Sequence, residues 1–123
     1  MHDRKVLHRD LKAGNIFKMK NGICKLGDLG ISKVLNSREA KAKTYCGTPY
    51  YMAPEIVDQK NYGFPADIWA LGVLLYEMCA LKCPFEGKNT VELFRKIKMG
   101  IADPIPKYYS DELRVLISYL LKV

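Results

Sequence analysis

The stretch HRDLKAGN, residues 8–15, carries three side chains of different chemistry close together. Asp10 can accept a proton, Lys12 can bind an anion, and Asn15 offers an amide oxygen to a hard cation. Each of these residues alone would also be typical of an exposed turn. The interpretation of the stretch therefore depends on the motifs that accompany it along the chain.

The composition is that of a globular protein, with 123 residues, 49% hydrophobic and 27% charged. This length suffices for one small domain or for part of a larger one. The net charge of +7 is uneven, because residues 1–43 hold 11 Lys and Arg against 4 Asp and Glu. Such an excess indicates either an anionic partner, such as a phosphate or a nucleic acid, or a solvated basic surface.

The sequence contains few features that indicate a cellular location. No apolar leader follows Met1, and the longest apolar run, residues 68–76, is too short to span a bilayer. The four cysteines lack the spacing of a zinc site. We therefore expect reduced cysteines, no membrane partner, and a cytoplasmic location, with the nucleus or the cytoskeleton as alternatives.

The apolar patterns predict a mainly α-helical chain with one β-hairpin. Two short alternating runs, 16–19 and 23–26, flank Asn21-Gly22, which is typical of a type I′ turn. A long polar loop follows at 28–50. Beyond it the sequence predicts a buried helix at 67–80 and a helix at about 89–99 with Val91, Phe94 and Ile97 on one side. A last helix is predicted after Ser110.

The hairpin suggests how a second carboxylate joins the first stretch. In GDLG, residues 27–30, Asp28 lies at the end of the second strand, two residues after the run 23–26, and precedes a tight glycine turn. Because the hairpin folds back on itself, it can bring Asp28 beside Asn15. A carboxylate and an amide oxygen would then face the same space, and Mg²⁺ prefers such ligands together with phosphate oxygens.

In this order the motifs resemble the C-terminal lobe of a eukaryotic protein kinase. HRDLKAGN matches the catalytic loop, DLG at 28–30 the magnesium-binding motif with Leu29 in place of Phe, and GTPYYMAPE at 47–55 the end of the activation segment. DIWALG at 67–72 and CPF at 83–85 match the central helix and the turn after it. The stretches NIFK, KLGDLGISKVL and AKTYCGTPYYMAPEI are similar to the NIMA-related (Nek) kinases.

The resemblance implies ATP and Mg²⁺ as cofactors, protein substrates, and a role for each matching residue. Asp10 would be the catalytic base, while Lys12 would stabilise the transferred phosphoryl group and mark a Ser/Thr kinase. Asn15 and Asp28 would hold Mg–ATP, and Thr48 would bond near Asp10 and Lys12. Six residues would serve the structure of the site: His8, Leu29, Gly30, Glu55, Asp67 and Trp69.

Regulation is expected in the long loop. Thr44 lies where Nek-like kinases are phosphorylated, and a phosphate there would add about −1.5 to −2 charge. Arg9, beside the catalytic Asp10, could bind that phosphate through two parallel N–H groups. The alternative for Thr44 is an exposed loop hydroxyl. On this interpretation the basic excess of residues 1–43 surrounds a phosphate-handling site.

Some parts of a kinase are missing from the sequence. It contains no Gly-x-Gly and no Val-Ala-x-Lys strand before the catalytic loop. Both ends are predicted to lie within helices, and Glu55 is expected to be a buried carboxylate without its usual arginine. We therefore interpret residues 1–123 as a partial kinase domain, truncated at both ends and lacking the N-terminal lobe, which runs to the penultimate helices of the C-terminal lobe.

Two functions remain open on these grounds. The residues could belong to a Ser/Thr protein kinase, with the isolated chain inactive by itself. Alternatively, the chain could be a catalytically dead fragment that acts as a binding or decoy module. A nucleic-acid binder is disfavoured, because no recognition motif or aromatic-basic stripe accompanies the positive charge.

Overall fold

The computed structural model describes residues 1–27 and 49–123. Two short 3-10 turns lie near the start of the chain, at His2–Arg4 and at Ala13–Asn15. A two-stranded antiparallel sheet and four α-helices follow in the described part of the chain: β1 Ile16–Lys18, β2 Cys24–Leu26, α1 Pro54–Val57, α2 Phe64–Ala80, α3 Thr90–Met99 and α4 Asp111–Leu120. The expected mainly helical character is confirmed.

The predicted hairpin is present, but its turn differs from the prediction. Ile16 pairs with Leu26, and Lys18 pairs with Cys24. The Gly22 N–H donates to the Met19 carbonyl at 2.9 Å, and Gly22 alone in the turn has a positive φ, of 82°. A type I′ turn needs positive φ at both central residues, so this turn is instead a β-turn followed by a left-handed glycine.

Helix α2 is the central element of the core and begins three residues before its predicted start. Pro65 lies in the first turn, where its missing N–H costs no hydrogen bond. The residue after the helix, Leu81, has a left-handed φ of 55°, and its N–H donates to the Glu77 backbone carbonyl. Most of α2 is buried, as the apolar run predicts, although Met78 remains 64% exposed.

Helix α3 has the predicted ends, and two of its three predicted apolar residues, Phe94 and Ile97, pack in or against the core. Asn89 caps it by accepting a hydrogen bond from the Glu92 N–H at 2.9 Å, and Gly100 ends it with a φ of 63°. Leu93 and Ile97 are buried, whereas Val91 is 79% exposed. Val91 lies outside the buried face because the core contacts follow the i, i+4 pair Leu93 and Ile97.

Helix α4 packs on α2 at a close approach that Gly72 permits. A Cβ on Gly72 would lie 2.8 Å from the Leu120 Cβ, a distance that real side chains do not adopt. Ile117 and Leu121 of this region are buried in the same core. The core side chains come from α2, α3, α4 and the connections between them: Trp69, Val73, Tyr76, Phe85, Leu93, Ile97, Ile105, Ile117 and Leu121.

The two chain ends differ from the expectation that both lie within helices. Helix α4 ends at Leu120, before the last residues, and His2–Arg4 form a single 3-10 turn. Within residues 1–27 and 49–123, no helix has the length and apolar character needed to cross a membrane.

Candidate active site

The catalytic-loop residues of the sequence motif come together around Asp10. The Lys12 ammonium donates to the Asp10 carboxylate at 2.9 Å, and the Asn15 side-chain amide donates to the same carboxylate at 3.2 Å. Asn15 also donates to the Asp10 backbone carbonyl at 2.7 Å. The 3-10 turn Ala13–Asn15 makes this possible, because it returns the chain towards Asp10 over a few residues.

Asn15 is placed suitably for a cation ligand. It is 7% exposed, and its amide nitrogen is committed to Asp10. The amide oxygen Oδ1 therefore points away from Asp10 and is the atom that could accept a cation. An amide oxygen is a ligand that Mg²⁺ accepts, so this residue fits the implied metal.

The hairpin brings the chain before Asp28 to the catalytic loop, as the sequence predicts. The Gly27 N–H donates to the Asn15 carbonyl at 2.9 Å. On its other side, the Gly27 carbonyl lies 3.1 Å from His8 Nε2. Gly27 is thus held by both the start and the end of the catalytic loop. Asp28 itself lies outside the described residues.

His8 has one tautomer that satisfies both of its hydrogen bonds. The Asp10 N–H donates to His8 Nδ1 at 3.3 Å, so Nδ1 must be the unprotonated nitrogen. Nε2 then carries the proton and donates it to the Gly27 carbonyl. The side chain is 2% exposed. His8 therefore contacts both Asp10 and Gly27, while Leu29 lies outside the described residues and the predicted structural role of His8 stays a prediction.

Asp67, in the first turn of α2, holds the backbone of the catalytic loop through hydrogen bonds. Its Oδ2 accepts hydrogen bonds from the His8 N–H and from His2 Nε2, both at 2.9 Å. Its Oδ1 accepts from the Arg9 N–H at 3.0 Å and from the Tyr62 hydroxyl at 2.8 Å. Four donors converge on one carboxylate that is 4% exposed. Asp67 thus binds the backbone of the two residues just before Asp10.

The four donors also determine the charge of Asp67. Burial by itself would raise the pKa of this carboxyl, but the hydrogen bonds from His2, His8, Arg9 and Tyr62 outweigh it and lower the pKa below its usual value. The carboxylate therefore stays ionised inside the protein. Burial and the bond to Asp67 raise the pKa of the Tyr62 hydroxyl, which remains a donor.

Tyr51 connects the catalytic loop to α2 at a second point. Its hydroxyl accepts a hydrogen bond from the Ala13 N–H at 3.3 Å and donates to the Glu77 carboxylate. Burial, followed by the bond to Glu77, raises the pKa of Tyr51 to about 12. Tyr51 belongs to the stretch GTPYYMAPE, 47–55, which resembles the end of a kinase activation segment, so this contact ties that stretch to the residue after Lys12.

Trp69 and Glu55, two residues predicted to serve the structure of the site, differ in how deeply they are buried. Trp69 is buried and stacks on Phe85 with ring centroids 5.6 Å apart. Among residues 1–27 and 49–123, no atom accepts a hydrogen bond from its indole nitrogen. Glu55 is only half-buried in α1, which contradicts the expectation of a buried carboxylate, and within the described ranges its side chain forms no ion pair.

Several predicted site residues fall on positions 28–48, outside the part of the chain that the structure describes. These are Asp28, Leu29, Gly30, Thr44 and Thr48. Arg9 is described and exposed, with a left-handed φ of 68°, and its guanidinium carbon lies 6.0 Å from the centre of the Tyr62 ring. Its role as a phosphate contact remains a prediction.

Sequence reasoning missed four residues of the site: His2, Tyr51, Tyr62 and Glu77. Glu77 carried a usable signal, because it is the one charged residue in the apolar run 68–81 and must therefore find a donor. Asp67, at the start of the same run, likewise required several donors. The sequence offered no means of identifying Tyr62 as one of them, since aromatic residues nearby are equally typical of a core.

The protein kinase domain family matches residues 1–123. The chain is 53% identical to serine/threonine-protein kinase Nek5 of Homo sapiens, over all of this chain and 18% of that protein. It is 52% identical to Nek1 of Mus musculus, over 99% of the chain and 10% of that protein.

A third relative, Nek3 of Mus musculus, is 48% identical over 99% of the chain and 24% of its own length. The chain therefore spans a quarter or less of each of these relatives. Since the family match covers every residue, and the resemblance read from the motifs is confirmed, the chain belongs to the protein kinase domain family and is Nek-like.

Proposed function

We propose that the protein is a Ser/Thr protein kinase that transfers the γ-phosphoryl group of Mg–ATP to protein Ser and Thr hydroxyls. The observation that carries this proposal is the cluster around Asp10, whose carboxylate receives Lys12 at 2.9 Å and Asn15 at 3.2 Å. These three groups suit a base, a phosphate-binding cation and a metal ligand.

In this mechanism Asp10 orients the substrate hydroxyl and accepts its proton as the oxygen attacks the γ-phosphorus. The new oxygen–phosphorus bond forms while the bond to the β-phosphate oxygen breaks, and ADP leaves. Lys12, about half exposed, is able to turn from Asp10 towards the transferred group and stabilise its charge. Asn15 and Asp28 would hold Mg²⁺, which neutralises the phosphate oxygens when bound.

Further parts of the proposal come from the sequence resemblance. We assign residues 1–123 to the C-terminal lobe of the kinase domain, consistent with their mainly helical structure. Phosphorylated Thr44 would be bound by Arg9, which is exposed beside Asp10. Protein substrates and ATP would be the partners, and the cytoplasm the place of action.

Replacing Lys12 by Ala tests the phosphoryl-binding role. We expect kcat for phosphorylation of a generic acceptor protein to fall about 10²-fold, because a cation aimed at developing charge is lost. The fold should persist, since the ammonium is 45% exposed. The measurement uses the complete native protein, radiolabelled ATP and Mg²⁺, followed by identification of the labelled amino acid.

The matched control is Lys20→Ala, at an exposed lysine in the hairpin turn. This variant should retain the activity of the unchanged protein. Label on Tyr instead of Ser or Thr would contradict the proposed substrate class. Equal activity of the Lys12 and Lys20 variants would remove the phosphoryl-binding role of Lys12.

The chain of residues 1–123 by itself is expected to show negligible phosphotransfer. Its sequence contains no Gly-x-Gly loop to enclose the ATP phosphates, so the groups around Asp10 would face only part of the nucleotide. The same assay, with the complete native protein beside the isolated chain, measures the difference. Robust turnover by the isolated chain that disappears with Asp28→Ala would show that these residues suffice.

A further inference from the structure

Tyr62 contacts both the Asp67 carboxylate and the Arg9 guanidinium. Its hydroxyl donates to Asp67 Oδ1 at 2.8 Å. Its ring lies 6.0 Å from the Arg9 guanidinium carbon, within reach of a cation–π attraction. Arg9 directly precedes Asp10, the proposed base. Tyr62 therefore contacts both Arg9 and the Asp67 carboxylate that accepts the Arg9 N–H.

With the Tyr62 hydroxyl in place, both oxygens of the Asp67 carboxylate accept the same number of hydrogen bonds. Each carboxylate oxygen accepts one backbone N–H, from His8 or Arg9, and one side-chain donor, from His2 or Tyr62. Without the hydroxyl, Oδ1 would keep only the Arg9 N–H, while Oδ2 would keep both of its donors. The carboxylate would then be free to rotate towards the side that retains two donors, which weakens its bond to Arg9.

The backbone conformation of Arg9 depends on its hydrogen bond to Asp67. Its φ of 68° lies in the left-handed region, which residues with a Cβ rarely adopt. Such a conformation persists when surrounding contacts enforce it. The Arg9 N–H bond to Asp67 is one of these contacts, and loss of it would let the backbone at Arg9 relax and turn Asp10 away from its partners Lys12 and Asn15.

We propose that Tyr62 is a positioning residue of the active site, which acts through Asp67 and Arg9 to hold Asp10 in its working orientation. This inference rests on the proposed kinase function. Tyr62 contacts neither substrate nor cofactor in this role. Its hydroxyl fixes the backbone of Arg9 through Asp67, and its ring holds the guanidinium of the same residue.

Tyr62→Phe separates the hydroxyl from the ring. The ring still fills its place and still faces Arg9, so the packing is retained. In the complete native protein we expect kcat to fall about 10-fold, the size of one lost hydrogen bond to a charged group, while KM for ATP changes by less than about twofold. Tyr119→Phe, at a tyrosine that is 74% exposed, is the matched control and should leave both constants unchanged.

Amide hydrogen exchange provides a second measurement that does not need activity. The amides of His8 and Arg9 should exchange about 10-fold faster in Tyr62→Phe than in Tyr119→Phe, whereas those of α2 should not change. Faster exchange throughout α2 would show a general structural role and overturn the proposal. Unchanged exchange at His8 and Arg9 would overturn it as well, as would a change in KM with kcat unaltered.

The two measurements also separate this inference from the function on which it rests. If the unchanged native protein transfers no phosphoryl group, the kinase proposal fails. The exchange comparison still decides whether Tyr62 holds Asp67 and Arg9. If the protein is active and Tyr62→Phe matches its control in both measurements, the kinase function stands and the positioning role is refuted.

Discussion

The Asp10→Asn variant is expected to lose between about 10²- and 10⁴-fold in kcat, because it lacks the carboxylate to which the proposed function assigns the substrate proton. Asn has nearly the same shape, and Lys12, at 2.9 Å from Asp10, is partly exposed and can be solvated when the charge is removed. The loss should therefore appear in kcat with little change in the melting temperature. The measurement is steady-state phosphorylation by the complete native protein, together with a thermal unfolding curve.

Asp103→Asn is the matched control for this variant. Asp103 also faces a lysine, Lys82 at 3.4 Å, but its side chain is 81% exposed and far along the sequence from the loop. A surface pair of this kind contributes little. Asp103→Asn should retain full activity. If Asp10→Asn retained it too, Asp10 would not be the base.

The Asp67→Asn variant is expected to lower the free energy of unfolding by about 3 kcal/mol, since hydrogen bonds to a buried charge are worth about 1.5–3 kcal/mol each. An Asn amide has one oxygen, so its NH₂ group would face two of the four donors on Asp67, from His2 and His8 or from Arg9 and Tyr62. Calorimetric or denaturant unfolding of the native protein measures the loss, and kinase activity should fall with it.

The stability difference between the unchanged protein and Asp67→Asn should depend on pH. Burial raises the pKa of Asp67, but its hydrogen bonds lower it below the unfolded value overall. A lowered carboxyl pKa stabilises the folded state above the unfolded pKa of about 3.9, and that contribution is lost as the pH falls through the folded pKa. The difference should therefore be constant near neutrality and shrink in acid.

Asp103→Asn again serves as the control, and its unfolding free energy should match that of the unchanged protein. A stability difference for Asp67→Asn that grew in acid would mean that the folded pKa of Asp67 is raised. An Asp67→Asn protein as stable as the control would show that the four hydrogen bonds do not support the fold.

The local features of the fold were accessible from the sequence. Asn89 and Ser110 precede helices that they do cap, and Gly100 ends α3 in the left-handed conformation. The hairpin around Gly22 was predicted as well. Its turn type was not, because Asn-Gly favours a type I′ turn without excluding one in which only the glycine has a positive φ.

The buried faces of the helices were harder to predict. Val91 and Leu116 follow the apolar spacing of α3 and α4, yet they are 79% and 46% exposed. Leu93 is buried in α3 instead, while Ile117 and Leu121, which follow the apolar spacing of α4, are buried as that spacing predicts. Periodicity places apolar residues on a broad face, but the rotation of a helix within that face depends on its packing partners.

The sequence by itself determined the family and predicted the catalytic-loop residues, since both depend on residue types at short, ordered spacings. Only the tertiary structure decided what holds them. Asp67 lies 59 residues after His8, and Tyr51 lies 38 residues after Ala13, so neither contact leaves a local pattern. Such contacts form when α2 packs beneath the catalytic loop, and a buried carboxylate then takes whichever donors that packing brings within reach.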